Sequence, residues 1–294
     1  MFDFLMIDPS WILNFRTDAL TSFFLGISKY VNYYSYMFII AVGYWISLRN
    51  KPFVHLGFLF PFAVLLNTTL KGILQIPRPD ESLRLVKTFG VNGFPSGDAQ
   101  LSSVFWLILF VSWKNSRLRY LCLLPIVLIS FSRVYLGVHS IYDVMGGIAL
   151  GALIVYLFLR PAVQSVVSGW YKTSQTSYWI VTGFTIALYV LVYGGRAFDP
   201  FFFSFIGLLL GYGLALNWIK ERNDTFWPKY TIETYMNLTI AGIVLYSMVM
   251  YTNVSNISTV PVVNYLSIVL KYALVSFSIF ALVPMFMKTL KSEK

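Results

Sequence analysis

The sequence predicts an all-α, polytopic integral membrane bundle of about nine transmembrane helices, and three observations predict it. Of 294 residues, 57% are hydrophobic and only 12% charged, with a mean hydropathy of +0.70, far from the composition of a soluble domain. Apolar runs of roughly 17 to 25 residues, enough for a helix to cross a hydrocarbon core about 30 Å thick, recur along nearly the whole chain. No stretch alternates apolar and polar residues as a membrane β-barrel does.

Taken in order, residues 1–22 lack the basic start and compact apolar run of a secretory signal. Their mixture of Trp, Phe, Asp and Arg suits a segment lying at the membrane interface. Charged or Pro/Gly-marked breaks then delimit spans near 23–48, 53–71, 99–113, 118–135, 143–159, 177–194, 201–219, 233–251 and 264–287. The first five make a core over 23–160 that holds every chemical motif. The remaining four, in 161–294, carry none.

The formal net charge of +10 does not point to nucleic acid, because Lys and Arg fall in the short connections between apolar runs. Alternating those connections puts thirteen basic residues on one side, from Arg49 and Lys51 to Lys294, and six on the other: Lys71, Arg78, Arg84, Lys87, Arg133 and Arg196. The positive-inside bias makes the richer side cytoplasmic. The C-terminus is then inside, and the N-terminus and the polar loop 71–98 are extracytoplasmic. The expected partners are membrane lipids; oligomeric state is not specified by any pattern. Cys122 is the single cysteine, which excludes an intramolecular disulfide and a cysteine-built zinc site.

Three segments carry candidate chemistry. In Lys71-Gly-Ile-Leu-Gln-Ile-Pro-Arg78-Pro79 the prolines end the second span and hold Arg78 in an extended backbone. An ammonium and a guanidinium are the side-chain devices that grip phosphate oxygens, although a basic helix end also anchors at headgroups. In Phe94-Pro95-Ser96-Gly97-Asp98 a turn opens the third span with a hydroxyl, free N–H groups and the positive end of a helix dipole. The same residues also read as a simple cap by Ser96 or Asp98. In Ser132-Arg133-Val-Tyr-Leu-Gly-Val-His139-Ser-Ile-Tyr-Asp143, His139 and Asp143 stand four apart. On a helical turn the carboxylate would orient the imidazole as a nucleophile or base; the plainer alternative is a structural histidine. All three segments fall on one predicted side, where phosphoryl transfer would find the positioning and charge it needs.

These segments resemble the type 2 phosphatidic-acid phosphatases, a family that includes glucose-6-phosphatase and the vanadium haloperoxidases. The pattern is Lys, six residues, Arg-Pro; then Pro-Ser-Gly-His; then Ser-Arg, five residues, His, three residues, Asp. Lys71, Arg78 and Pro79 fit the first part, and Ser132, Arg133, His139 and Asp143 fit the third, over a resemblance spanning roughly residues 20–160. It implies a membrane phosphatase acting on a lipid phosphate or polyprenyl diphosphate, with no metal or cofactor. His139 would form a phosphohistidine, Asp143 would align it, and Lys71, Arg78, Ser96, Gly97 and Arg133 would bind phosphate oxygens.

Asp98 stands where the family has histidine, the residue taken to protonate the leaving group. Aspartic side chains are ordinarily ionised at neutral pH. Three readings follow: Asp98 is protonated with substrate bound and acts as the acid; the leaving group needs little protonation; or hydrolysis gives way to phosphate transfer, or to binding or transport of a phosphorylated lipid. Elsewhere, His55 reads as structural, and Gly147 and Gly151 have the small-xxx-small spacing that lets membrane helices approach closely.

Overall fold

The computed structural model describes residues 9–46, 51–88, 90–113, 117–172, 174–193, 200–221 and 260–283. Among them the regular structure is helical, apart from one isolated antiparallel bridge between Pro77 and Asn92. Ten α-helices follow in order: α1 (Asp18–Tyr30), α2 (Tyr33–Ile46), α3 (Lys51–Leu74), α4 (Gly97–Ser112), α5 (Leu123–Tyr135), α6 (Ile141–Phe158), α7 (Pro161–Lys172), α8 (Thr176–Tyr193), α9 (Pro200–Glu221) and α10 (Pro261–Phe277), the last continuing into a π-helical turn, Ser278–Leu282.

Among the described residues, five helical stretches are long and apolar enough to cross a membrane: Pro52–Leu74, Arg117–Tyr135, Ile141–Phe158, Thr176–Tyr193 and Pro261–Leu282. The chain is therefore an all-α integral membrane protein. Two more expected spans are shorter apolar helices, Gly97–Ser112 and Phe202–Trp218, and the expected span 233–251 lies outside the described residues. Of the remaining run, 23–48, the described residues 23–46 belong to two helices rather than one. Asn32 makes the break: its Oδ1 accepts from the N–H groups of Tyr34 at 3.0 Å and Ser35 at 3.1 Å, capping α2. An apolar window passes over a single asparagine, whereas the unsatisfied N–H groups of a helix start do not.

The chain divides into two compact units, one of residues 1–36 and 66–159, the other of 37–65 and 160–294. In the first unit α4 and α6 are held in close contact by missing side chains. A Cβ on Gly147 would strike the Ser96 carbonyl oxygen, and one on Gly151 would come 2.6 Å from the Gln100 carbonyl oxygen and 2.7 Å from the Ser103 Cβ. Backbone lies against backbone, as the small-xxx-small spacing predicts. Gly151→Leu is expected to destabilise the first unit by about 1–3 kcal/mol through overpacking, read as a lowered thermal unfolding midpoint in detergent, with Gly183→Leu, a site open to 4 Å, as the silent control.

The N-terminal segment also packs into this unit. Ile12 and Phe24 are buried with Tyr135, Leu136 and Val138. The Arg16 guanidinium donates to the Leu83 carbonyl at 2.7 Å and to the Tyr135 carbonyl at 3.0 Å. An interfacial reading of 1–22 gave no hint of this contact, since one arginine among apolar residues does not announce which carbonyls it will reach.

In the second unit α9 and α10 approach through Gly207 and Gly211, whose missing side chains accommodate the Val269 and Ala273 backbones. Buried aromatic donors find backbone acceptors, as burial requires: Tyr178 Oη reaches the Leu209 carbonyl at 2.5 Å, Tyr212 Oη that of Val54 at 2.7 Å, and Trp45 Nε1 that of Ile279 at 2.8 Å. His55 belongs to this unit.

Candidate functional site

The segment joining α5 to α6 is built from two helix-end devices with one residue between them. Gly137, at φ +69°, adopts the left-handed conformation that glycine tolerates best. Its N–H donates to the Val134 carbonyl at 2.9 Å and the Val138 N–H to that of Arg133 at 3.2 Å, the paired bonds of a Schellman ending. Three residues past Gly137, Ser140 starts α6 with a capping box: Ser140 Oγ accepts from the Asp143 N–H at 3.1 Å, and Asp143 Oδ2 accepts from the Ser140 N–H at 2.8 Å. His139 is the residue left between the two devices, so its position follows from the helix ends around it.

The imidazole is 3% exposed. Its Nδ1 faces Asp143 Oδ2 at 3.4 Å, and its Nε2 lies 2.9 Å from Arg78 Nη1. A guanidinium has only donors, so Nε2 is the accepting nitrogen and the ring proton sits on Nδ1, toward Asp143. Arg78 Nη1 also donates to the Val138 carbonyl at 3.1 Å, and Arg78 Nε to that of Gly90 at 3.2 Å. The bond from the Arg78 N–H to the Val91 carbonyl, 3.1 Å, and that from the Gly93 N–H to the Ile76 carbonyl, 2.7 Å, fold the loop back on itself.

Lys71, at the end of α3, has two of its donors on that loop: Nζ reaches the carbonyls of Asn92 at 3.1 Å and Gly93 at 2.8 Å. The sequence predicted a phosphate contact; the structure adds a loop-holding one. Ser96 precedes α4 but makes no side-chain capping bond, and its buried Oγ has no partner. Its N–H instead donates to the Asp143 carbonyl at 2.8 Å, tying the second motif to the third. Gly97 leaves room against Tyr33 Oη and Asn67 Oδ1, which a Cβ would meet at 3.1 and 3.3 Å.

Arg133 and Asp98 form an ion pair, Nη1 to Oδ2 at 3.1 Å, with side chains 8% and 28% exposed. Arg133 Nε lies 3.2 Å from Ser132 Oγ, while its buried Nη2 has no partner. Ser96 Oγ, Arg133 Nη2, His139 Nδ1 and Asp143 Oδ1 are thus four buried polar atoms of the three motifs without a hydrogen bond. Such atoms are costly to leave unsatisfied, and the first two suit an oxyanion.

Burial and the cations Lys71, Arg78, Arg133 and Arg84 hold the His139 imidazole well below its usual value of 6.5. Burial likewise lowers Arg78, against the raising influence of Asp98 and Asp143, though a guanidinium remains charged. His139 is therefore neutral at pH 7. Because the folded-state value is the lower one, acidification through 6.5 protonates the unfolded chain first, and this group's contribution to stability declines as pH falls. The expected result is an imidazole that does not titrate between about pH 7.5 and 5.5, read from ¹⁵N shifts in a His55→Asn variant, since the chain has two histidines.

All eight residues chosen from the sequence lie in the first unit. Sequence reasoning missed Arg84, whose charge acts on both His139 and Arg78 while its Nη2 donates to the Pro79 carbonyl at 2.6 Å. It missed Asn67, which donates to the Pro95 carbonyl at 3.2 Å and to Gln100 Oε1 at 2.6 Å beneath the Pro-Ser-Gly turn. The Ser140-x-x-Asp143 box was a readable signal; the other two lack a motif. Among the described residues no group of three His, Cys, Asp or Glu side chains is placed to hold a metal.

The fold is thus an all-helical membrane bundle that gathers a histidine, a carboxylate and several cations at helix ends. Residues 52–167 match the model of the PAP2 superfamily. The chain is 24% identical over 256 residues to lipid phosphate phosphatase delta of Arabidopsis thaliana, covering 78% of this chain and 61% of that one. It is 26% identical over 155 residues to human sphingosine-1-phosphate phosphatase 2, covering 45% and 38%. It is 33% identical over 131 residues to phosphatidylglycerophosphatase B of Bacillus subtilis strain 168, covering 40% and 63%. The chain thus spans less than two thirds of each relative's length. No solved structure matches it.

Proposed function

We propose that the chain is a membrane phosphatase that removes phosphate from a lipid phosphate or lipid diphosphate through a phosphohistidine on His139. The observation that carries this reading is an unprotonated imidazole nitrogen, Nε2, with Arg78 Nη1 on its lone pair at 2.9 Å, in a chain whose other motifs leave the buried donors Ser96 Oγ and Arg133 Nη2 unpartnered.

An entering phosphate takes up those two donors and draws the Arg78 N–H to its own oxygen, which frees Nε2 to attack phosphorus in line. As Nε2 bonds to phosphorus the ring becomes cationic, and Asp143, on the Nδ1 side, stabilises it. Lys71 supports the anion through the loop it holds, and Gly97 leaves room for it at the start of α4. The nearby cations offset charge that builds on the equatorial oxygens. Water then enters opposite Nε2 and releases phosphate. Catalysis belongs to 23–160, the spans in 161–294 serve another role, and the site faces the extracytoplasmic side, as the basic-residue count suggests. The relatives' printed names, a lipid phosphate phosphatase, a sphingosine-1-phosphate phosphatase and a phosphatidylglycerophosphatase, agree with this reading.

The test is to trap the intermediate. Incubation with a ³²P-labelled lipid phosphate or diphosphate and rapid quench in base is expected to leave label on the protein, stable to alkali, lost in acid and absent from His139→Ala. Turnover of such a lipid by His139→Ala would sink the mechanism. The Asp98–Arg133 pair favours one second reading, a binder of phosphorylated lipid that does not cleave it. Saturable binding without phosphate release, lost in Arg78→Ala, would establish that instead.

A further inference from the structure

We propose that the Asp98–Arg133 ion pair makes this site a filter for leaving groups, so that it cleaves phosphoanhydrides, the terminal phosphate of a lipid diphosphate, in strong preference to alkyl phosphomonoesters. The inference rests on the phosphohistidine reading above and adds the substrate class to it. Asp98 lies in the first turn of α4, directly after Ser96 and Gly97, where the resemblance implies the residue that protonates the departing oxygen. Its Oδ2 accepts from Arg133 Nη1 at 3.1 Å, a charge-assisted hydrogen bond that engages the carboxylate.

Substrate does not need to break that pair. Arg133 has a second amino group, Nη2, which is buried and unpartnered, so one guanidinium can bind phosphate through Nη2 while keeping Asp98 on Nη1. Asp98 therefore has no proton to give when the first bond breaks. An alkyl phosphate would have to expel an alkoxide, whereas a diphosphate expels a phosphate oxyanion that is stable without a proton.

The steps balance without an acid. The Nε2–P bond forms as the bond from phosphorus to the bridging oxygen breaks, and the bond pair leaves on that oxygen as the lipid monophosphate. In the second step water attacks phosphorus where the leaving group stood, and its proton passes to the Asp98 carboxylate. The Nε2–P bond breaks, returning its pair to nitrogen, inorganic phosphate departs, and Asp98 releases the proton to solvent. A carboxylate is thus suited to the second step and unsuited to assist the first.

The experiment measures phosphate release by the full chain in detergent at pH 7 from farnesyl diphosphate, farnesyl monophosphate and inorganic pyrophosphate, for the wild type, Asp98→His, Asp98→Asn and His139→Ala. The expected kcat/KM ratio of farnesyl diphosphate to farnesyl monophosphate is about 10²-fold or more. Asp98→His, which supplies an acid, is expected to shrink that ratio at least about tenfold by raising monophosphate turnover. Asp98→Asn is expected to accumulate labelled phosphoenzyme from the diphosphate. Cleavage of pyrophosphate as well assigns recognition to the anhydride alone, and cleavage of the farnesyl compound only assigns it to the lipid; both support the filter. A wild-type ratio near one, a selective loss of monophosphate turnover in Asp98→Asn, or no release from any substrate by the wild type overturns it. If His139→Ala still turns over substrate, the phosphohistidine reading fails; if that variant is dead and the wild-type ratio is near one, only the filter fails.

Discussion

Replacing His139 with alanine is expected to lower phosphate release by about 10⁴-fold or more while leaving the fold in place. The side chain has little structural work. It is 3% exposed, but the turn that carries it is fixed by the Gly137 ending and the Ser140 box, both made of backbone and capping bonds. Its strongest partner, Arg78 Nη1, retains the Val138 carbonyl at 3.1 Å. A large loss of rate with an unchanged unfolding midpoint therefore separates a chemical role from a packing one. Asp143 gives the contrasting pattern. Asp143→Ala removes the charge beside Nδ1 and half of the capping box, so both rate and stability fall, the latter by about 1 kcal/mol. Asp143→Asn keeps an acceptor for the Ser140 N–H and loses the charge, so it is expected to lose rate by about 10²–10⁴-fold with less loss of stability.

Where sequence and structure agree, the reason is local. Arg133, Gly137, His139, Ser140 and Asp143 lie within eleven consecutive residues, and two helix-end rules suffice to place them. Gly147 and Gly151 were readable for a similar cause, since their spacing puts both on one face of α6 and small residues there mean a close neighbour. Asp98 shows where such reasoning stops. A sequence gives the residue type, but only the fold brings α5 against α4 so that Arg133 meets it, and that contact decides what a carboxylate does there. Arg84, Asn67 and Arg16 were illegible for the same reason: each acts through a backbone carbonyl or a field from another segment, and carbonyls carry no residue identity. The division of 23–48 failed differently. Apolar content locates a hydrophobic run, whereas a helix boundary depends on which side chain satisfies the first free N–H groups, here Asn32.

Arg133→Lys is expected to cost about 10²–10³-fold in kcat/KM for whichever substrate is turned over, despite retaining the charge. The guanidinium has three distinct nitrogens in use or in reserve: Nη1 holds Asp98 at 3.1 Å, Nε lies 3.2 Å from Ser132 Oγ, and Nη2 is buried without a partner. An ammonium is a single point at the end of a flexible stem and does not span both Asp98 and a phosphate in fixed geometry. In Arg133→Lys the lysine either stays with Asp98 and leaves the phosphate short of a donor, or turns to the phosphate and leaves Asp98 as an uncompensated negative charge facing a dianion. Those two failures respond differently to a second change. If Asp98 repulsion is the main loss, adding Asp98→Asn to Arg133→Lys restores part of KM, and the two substitutions are clearly non-additive. If the missing donor dominates, the double variant is no better than Arg133→Lys alone. Measuring kcat and KM separately for the wild type, both single variants and the double variant decides between them, and a fully active Arg133→Lys would remove Arg133 from the phosphate site altogether.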